Sequence, residues 1–452
     1  MSDRAMSAPS STDAYQPKVA GELLHRMNAI QTTKTFRRIF FLTAAGLFLD
    51  AMDIYLASGT MSSFTATRFA TTAQTSVFLS LGFLGLFIGS VAAGVIGDTK
   101  GRMKAFQWNL LLFGVFTFIG AFAPNMTILI ISRFISEIGL GAELVTSFSI
   151  INEFAPVKTR GKWCTTASFI ANIGAPVAMV LCLVIIPHFT WRGMFFISGI
   201  AAIIFSYFRH NLPESPRWNI EHRHYDAASE TLDMLNAEMD AEHKQPAEVV
   251  EQTSTQESAD VNKHLGRNTF VAIALAIAAM VCQYTFTSWA PTLLVKQGIN
   301  ISSSLVYSTL MMIGAPVGAF IGSRLVEKIG RKLNIIIAFS LVAIFGITYA
   351  HLNSPVGIVI VGFLLTCCFY VLNATIIGVY VTELFSTKYR FRGSGVANGL
   401  AKLANFGMPY LVVFFLSVSS VSMVLYFIAG LAVVAAIITF IWGPETTAKQ
   451  IN

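Results

Sequence analysis

The chain has 452 residues, of which 54% are hydrophobic and only 12% are charged, and it contains 37 Phe. A soluble protein of this length could not cover so much apolar surface with so few charges, so we exclude that class and predict a polytopic all-α membrane protein. The net charge of +7 does not indicate a nucleic-acid partner, because the basic residues are dispersed over short loops, where they set membrane topology.

The N-terminal residues 1–37 are predicted to form a cytoplasmic tail. Residues 1–18 are polar and rich in Ser, Ala and Thr, a composition typical of disorder. Residues 19–36 are predicted to form a short helix at the membrane interface before the first span.

Twelve apolar runs are long enough to cross the ~30 Å hydrocarbon core of a bilayer. Six of them form a predicted N-terminal bundle over residues 38–209, at 38–62, 76–97, 105–123, 127–150, 165–187 and 192–209. Six more form a predicted C-terminal bundle over residues 267–442, at 267–290, 304–327, 332–350, 355–378, 392–416 and 421–442. Residues 210–266 between them are polar and acidic and are predicted to be a solvated cytoplasmic linker with some helix, and residues 443–452 are predicted to be a cytoplasmic tail.

The short loops show a strong charge bias. Thirteen basic residues lie in the even-numbered loops: Lys100, Arg102, Lys104, Lys158, Arg160, Lys162, Arg324, Lys328, Arg331, Lys332, Lys388, Arg390 and Arg392. The odd-numbered loops contain three, Arg68, Arg192 and Lys296. Since Lys and Arg collect on the cytoplasmic side, both termini and the central linker are predicted to be cytoplasmic.

Two motifs occur once in each half of the chain. Their acidic members are 229 positions apart for Asp98 and Glu327, and 230 apart for Glu153 and Glu383. A shared offset indicates an internal duplication of about 230 residues. Charged residues and a turn glycine at helix ends can form ion pairs that hold one closed arrangement and release in another. We predict such a conformational latch from Asp98, Gly101, Arg102, Glu153 and Arg160, and from Glu327, Arg331, Glu383 and Arg390; the alternative is charge that only sets topology.

This pattern resembles the Major Facilitator Superfamily over essentially the whole membrane region. The stretch "GDTKGRMKAF" resembles its signature after the second span, and "SRFISEIGLGAE" resembles its fourth-span Arg-x-x-x-Gly-x-Gly pattern with one residue altered. "NEFAPVKTRGK", "PESPRW" and the terminal "PETT" are similar to the sugar-porter-related branches. The resemblance implies a monomer with two six-helix bundles around a central cavity, related by a pseudo-two-fold axis along the membrane normal, in a bacterial inner membrane.

The similarity to true sugar porters is weaker at two positions. Those carry Gln-Gln in the seventh span, where this chain has "MVCQYTFTSW", and Gly-Pro-x-x-Trp before the tenth-span Glu, where this chain has "NATIIGVYVTE". "FLDAMDIYLASG" instead resembles the first span of aromatic-acid:proton symporters and niacin transporters, which have paired Asp residues there. The resemblance as a whole implies a bacterial metabolite:proton symporter.

The first span carries two acids, Asp50 and Asp53, three positions apart and therefore on one helix face. A charge at mid-helix costs about 2.5–3.5 kcal/mol on insertion scales, so both acids require an explanation. A buried carboxyl group can keep a proton at neutral pH, because burial disfavours its charged form. We therefore predict proton coupling at Asp50 and Asp53, with Asp50 favoured as the titrating group; the alternative is that one Asp pairs with a cation and only packs helices together.

Three further charges lie on the fourth span. Glu143 fits the place of a Glu in the niacin-type transporters and is predicted to assist proton transfer or to pair with Arg133 or Lys402. Arg133 and Glu137 are four positions apart and can neutralise each other on one helix face.

Lys402 lies near mid-depth in the eleventh span, where related symporters have an Arg that faces the cavity. A cation there suits a carboxylate substrate, and a salt bridge from Lys402 to Asp50 or Asp53 in the empty state would couple substrate to proton. The remaining candidate substrate-binding residues are aromatic or carry an amide: Asn172, Gln283, Tyr284, Tyr370 and Asn373.

These residues predict a proton-coupled importer of a small organic anion that uses the proton gradient and no cofactor. A facilitator of a neutral sugar or polyol and a proton-driven exporter are the alternatives. A membrane enzyme is disfavoured, because no nucleophile–base pair or phosphate-binding loop is present. The five cysteines have neither CxxC nor Cys/His spacing, so we predict packing roles for them and no metal site.

Overall fold

The computed structural model describes residues 11–246, 264–385, 387–418 and 420–446, and their side chains except those of residues 11–18, 65–66 and 387–391. Residues 1–10, 247–263 and 447–452, which belong to the predicted tails and linker, lie outside the described residues, as does the side chain of the predicted latch residue Arg390.

All regular elements in the described ranges are helical. The first half contains α1 Ser11–Ala29, α2 Lys34–Ala66, α3 Thr72–Lys100, α4 Arg102–Ala121, α5 Met126–Phe154, a 3-10 turn at Val157–Thr159, α6 Arg160–Phe208, α7 Pro216–Glu221 and α8 Tyr225–Ala241. The second half contains α9 Leu265–Lys296, α10 Ile301–Met312, α11 Gly314–Lys328, α12 Arg331–Ala350, α13 Pro355–Leu372, a π-helical segment Asn373–Tyr380, α14 Val381–Glu383, α15 Thr387–Val418 and α16 Val421–Trp442.

Local sequence explains where several helices begin. The side chain of Thr71 accepts a hydrogen bond from the Gln74 backbone N–H at the start of α3, and Asn125 does the same for Ile128 at the start of α5. Both contacts satisfy backbone donors that a first helical turn leaves unpaired. Gly101 and Gly330, with φ of 103° and 84°, allow the sharp turns before α4 and α12.

Ten described stretches are long and apolar enough to cross a membrane, and they account for eleven of the twelve predicted spans. One of them, residues 157–208, contains two spans, because Thr190 has a φ of 56° and the chain reverses there. A Cβ at Gly193 would lie 2.7 Å from Ile185 Cγ2, although eight residues of straight helix would separate the two by about 12 Å. Helix α5, which carries Arg133, Glu137 and Glu143, is the remaining span, the predicted fourth, and it packs against α3 and α4. The predicted twelve-helix architecture is confirmed.

The predicted interfacial helix packs against a helix of the linker. The apolar side of α1 contributes Leu23 to a buried cluster with Leu232, Leu235 and Met239 of α8. Arg26 forms an ion pair with Asp233, also on α8. A helix from the acidic linker thus covers apolar residues of this segment, and its place at the membrane interface stays a prediction.

The buried core differs between the two ends of the bundle. We call the end that carries Gly101, Pro156 and Gly330 the latch end, and the end that carries Thr71, Thr190 and Asn300 the far end. At the far end, residues of the first half such as Leu56 and Phe64 share one apolar cluster with the second half. At the latch end, the cluster around Phe36 and Phe106 contains residues of the first half only. The two halves are thus joined by apolar packing mainly at the far end.

Candidate functional site

The acids of the first span meet charged residues of α5. Asp53 is fully buried and forms an ion pair with Arg133, which also forms an ion pair with Glu137 one turn along its own helix. The predicted Arg133–Glu137 pair is therefore present, and it shares its arginine with Asp53. Asp50 is 8% exposed, and its Oδ1 has no hydrogen-bond partner among the described residues.

Lys402 adds a second cation to this cluster from α15. Its side chain interacts electrostatically with Asp50 and Glu137 but forms no ion pair with a described residue. The predicted salt bridge to Asp50 or Asp53 is thus absent in this state. The cluster contains three carboxyl groups and two cations, so the two cations cannot neutralise all three carboxylates.

Polar and aromatic side chains of the second half surround the cluster. The Asn373 amide donates a hydrogen bond of 2.9 Å to Gln283 Oε1. The hydroxyl groups of Tyr370 and Tyr55 are hydrogen-bonded across the two halves. Tyr284 packs against Phe83, with ring centroids 5.2 Å apart. These contacts bring four of the five predicted wall residues together at the interface of the halves.

The fifth predicted wall residue, Asn172, lies on α6 and is half-buried. It forms no hydrogen bond with another described residue, and the structure gives it no contact with the charged cluster. Its substrate-binding role stays a prediction.

A small cavity adjoins the charged cluster. Arg133 and Glu137 line it together with Ser288 of α9, Gly82 and Phe83 of α3, and apolar side chains. The free space is about what one water molecule requires. The described residues therefore close around the cluster in this state.

Glu143 has a different partner from those predicted. Its carboxylate accepts hydrogen bonds of 2.7 and 2.9 Å from Arg209, directly after α6, and one of 2.9 Å from Ser147. Arg209 also donates to the backbone oxygens of Leu42 and Phe106. The expectation that Glu143 pairs with Arg133 or Lys402 is wrong, because its carboxylate is paired with Arg209, the last residue of the sixth predicted span. The pair connects α2, α4, α5 and the end of α6.

The predicted latch residues form ion pairs in each half. Arg102 contacts Asp98 at 2.8 Å and Glu153 at 3.2 Å. Arg331 donates hydrogen bonds of 3.0 and 2.8 Å to the two carboxylate oxygens of Glu383. Each of these arginines lies at the start of a helix, directly after a positive-φ glycine.

Two other predicted latch residues are not part of these pairs. Glu327 forms no ion pair with a described residue, so the second half lacks a counterpart of the Asp98–Arg102 contact. Arg160 Nε is buried and has no hydrogen-bond partner among the described residues. Burial and the nearby charge of Arg217 lower the pKa of Arg160.

A family model described as sugar (and other) transporter matches residues 27–452. The chain belongs to this family. The predicted membership of the Major Facilitator Superfamily is confirmed, and the protein is a transporter of metabolites or sugars.

Relatives and solved structures agree with this family. The transporter is 30% identical to the inner membrane metabolite transport protein YdjE of Escherichia coli, over 93% of this chain and 95% of that one. It is 26% identical to the niacin transporter NiaP of Acinetobacter baylyi, over 95% and 99% of the two chains. Its fold is similar to that of the xylose transporter XylE from E. coli in a partially occluded inward open conformation, with a TM-score of 0.72, 20% identity and coverage of 93% and 100%.

Several residues at important positions of this transporter were not predicted from the sequence. Arg209 and Tyr55 hold the contacts described above. Glu214 accepts a hydrogen bond of 3.1 Å from the Met103 backbone at the start of α4, and Glu445 accepts one of 3.0 Å from the Arg331 backbone at the start of α12. The repeated Pro-Glu-Ser and Pro-Glu-Thr segments were the available signal, since their glutamates follow the two latch arginines at similar distances.

Proposed function

We propose that this transporter is a proton-coupled symporter that imports a small organic anion across the bacterial inner membrane by alternating access, as a monomer. In this proposal both termini and the linker face the cytoplasm. The observation that carries it is Lys402, a cation inside the apolar bundle that interacts with Asp50 and forms no ion pair with a described carboxylate. A buried cation favours a ligand that supplies the missing negative charge.

The coupling step follows from competition for Lys402. In the empty state the charge of Asp50 partly balances that of Lys402. A substrate carboxylate that binds Lys402 replaces this interaction. Asp50 then lacks a balancing cation, so its protonated form is less costly to bury than its charged form. Substrate and proton thus occupy the site together, and the loaded cluster carries no additional net charge when the halves rock.

The movement of the two halves against each other involves different contacts at the far end and at the latch end. The far end is held by apolar packing and by the Tyr55–Tyr370 hydrogen bond. At the latch end the arginine pairs stay within each half, so they brace each bundle as the halves move. Asp98, Gly101, Arg102, Glu153, Arg331 and Glu383 are the residues to which we assign this role.

A ligand-binding experiment with purified protein tests the anion site. Nicotinate is a suitable probe, because the relative NiaP is named a niacin transporter, and nicotinamide is its neutral counterpart. We expect nicotinate to raise the melting temperature and nicotinamide to have little effect, since a ligand stabilises in proportion to its binding to the folded state. The shift with nicotinate should be lost in Lys402→Ala and largely kept in Lys402→Arg.

A second candidate function is the transport of a neutral sugar or polyol. The hydrogen-bonded amides of Gln283 and Asn373 favour it, because amides suit hydroxyl groups. The same assay includes xylose as a probe. Stabilisation by xylose and not by carboxylates, unchanged in Lys402→Ala, would replace the anion proposal with this one.

A further inference from the structure

We propose that Glu137 carries a proton in the resting protein and shares it with Asp53, so that the link between α2 and α5 through Arg133 depends on this proton. The inference rests on the proposed proton coupling and adds a proton-holding residue to it. Glu137 stands where the fourth-span pattern quoted above has Gly.

The charges of Arg133, Asp53 and Glu137 do not balance. Arg133 is the only cation in ion-pair contact with Asp53 and Glu137 among the described residues. Both carboxyl groups contact the same guanidinium group, and they interact with each other. Two carboxylates held this way repel each other, so the arrangement favours one proton on the pair.

Asp53 and Glu137 each have a buried oxygen to which no described residue donates a hydrogen bond, and the surroundings of Glu137 explain this. Glu137 is 1% exposed, and its Oε2 has no hydrogen-bond partner among the described residues. The neighbouring helix α3 presents Gly82 and Gly85 to this side chain, and glycine offers no side-chain donor. A bare carboxylate oxygen in this position would be costly, whereas a protonated carboxyl group is less so.

Glu137 and Asp53 differ in their access to the cavity. Glu137 lines the water-sized cavity beside Arg133, so a single water can reach it to deliver or remove a proton. Asp53 is fully buried and is not among the residues that line this cavity.

The charged and titratable groups around Glu137 come from four helices. They are Arg133 on its own helix, Asp50 and Asp53 on α2, Tyr284 on α9 and Lys402 on α15. The positive charges of Arg133 and Lys402 partly balance the negative charges of Asp50 and Asp53. A substrate anion bound to Lys402 would neutralise part of this positive charge, and the proton on Glu137 would then be harder to remove.

When the proton leaves Glu137, Arg133 must balance two full carboxylates. Its ion pair with Asp53 then competes on equal terms with its ion pair to Glu137. Loss of the proton therefore weakens the connection between α2 and α5, and gain of the proton restores it. Arg133 is therefore a positioning residue, and the strength of its ion pair with Asp53 of the first span depends on whether Glu137 is protonated.

Isotope-edited infrared spectroscopy tests the proposal without any substrate. The full-length protein is made by cell-free synthesis, unlabelled or with side-chain ¹³C-glutamate, and compared at pH 7. Exposed glutamates are ionised at this pH, so the difference spectrum is expected to show one protonated glutamate carboxyl band. That band should be absent in Glu137→Gln. In Glu137→Asp the band should move from the glutamate-labelled to the aspartate-labelled spectrum.

Three results would overturn the proposal. One is the absence of a protonated glutamate band in the wild-type protein, and another is a band that persists in folded Glu137→Gln. The third is a protonated band that responds only to ¹³C-aspartate, which would place the proton on Asp50 or Asp53. If a variant does not fold, the comparison of unlabelled and ¹³C-labelled wild-type protein still shows whether a glutamate is protonated. Since no ligand is used, failure here is distinct from failure of the anion-binding assay.

Discussion

Tyr55 of α2 and Tyr370 of α13 are hydrogen-bonded to each other, and they come from opposite halves of the transporter. Both side chains are buried. This pair of hydroxyl groups thus connects the bundles beside the charged cluster, in the part of the molecule where the apolar core is shared. This contact belongs to one conformation, because the halves must separate there for the far end to open.

Replacing Tyr370 with Phe removes this hydrogen bond and keeps the ring. A hydrogen bond contributes about 0.5–1.5 kcal/mol net, so we expect the population open at the far end to rise by about two- to tenfold. Distances between spin labels on Ala73→Cys and Gln297→Cys measure the opening, in a Cys164→Ser background because the other four cysteines are buried. Tyr410→Phe, which changes an exposed tyrosine, is the control. Equal distance distributions in both variants would contradict the expectation.

Asp50→Asn should separate substrate movement from proton movement. We expect uptake of nicotinate against its gradient, driven by an inward proton gradient in proteoliposomes, to be abolished. Exchange of internal for external nicotinate should continue, because it needs no net proton transfer. The exposed Asp240→Asn provides the same chemical change away from the site. Full pH-driven accumulation in Asp50→Asn would show that Asp50 is not the coupling residue.

Glu143→Gln should act on stability. The change leaves Arg209 buried without its carboxylate, and breaking a buried ion pair in this way costs about 3–5 kcal/mol. We expect a much lower melting temperature and yield than for Glu230→Gln, which alters an exposed residue of α8. A stable Glu143→Gln protein that exchanges substrate but has lost proton-driven uptake would instead return Glu143 to the proton-coupling role predicted from the sequence.

The packing of the linker against the start of α2 should depend on pH. Hydrogen bonds from Lys244 and Arg37 lower the pKa of Glu242. A lowered pKa means that the contact stabilises the folded arrangement at neutral pH and is lost as the pH falls through that lowered pKa. The protection of the amides of residues 34–40, measured as exchange relative to the intrinsic rate at each pH, should therefore fall in acid. Glu242→Gln should show the lower protection already at pH 7 and less change on acidification.

The sequence predicted which charges matter better than it predicted their partners. Asp50, Asp53, Arg133 and Lys402 are identifiable because a charge in an apolar run is costly and therefore needs a reason. Their pairing depends on how helices distant in sequence are rotated against each other, and spacing along one helix does not determine that. Arg209 shows the limit, since it is the last residue of a predicted span and its sequence context resembles that of an ordinary loop cation.

The aromatic and amide residues were harder to predict for another reason. Aromatic residues in membrane spans mostly pack or anchor, so Tyr55 gave no signal beside its acidic neighbours. Gln283 and Asn373 were predicted as separate wall residues, and their hydrogen bond to each other follows only from the packing of α9 against the π-helical segment.

The π-helical segment Asn373–Tyr380 begins at Asn373, whose amide contacts Gln283, and ends three residues before the latch residue Glu383. If this segment became α-helical, a shift of register by one residue would move the rest of the helix by about 1.5 Å along its axis and rotate it by about 100°. A ligand that pulled on Asn373 would thereby twist Glu383 relative to Arg331 without bending the rest of the helix. The tenth span can thus convert a small displacement of Asn373 near the centre of the membrane into a rotation of Glu383 at the membrane edge.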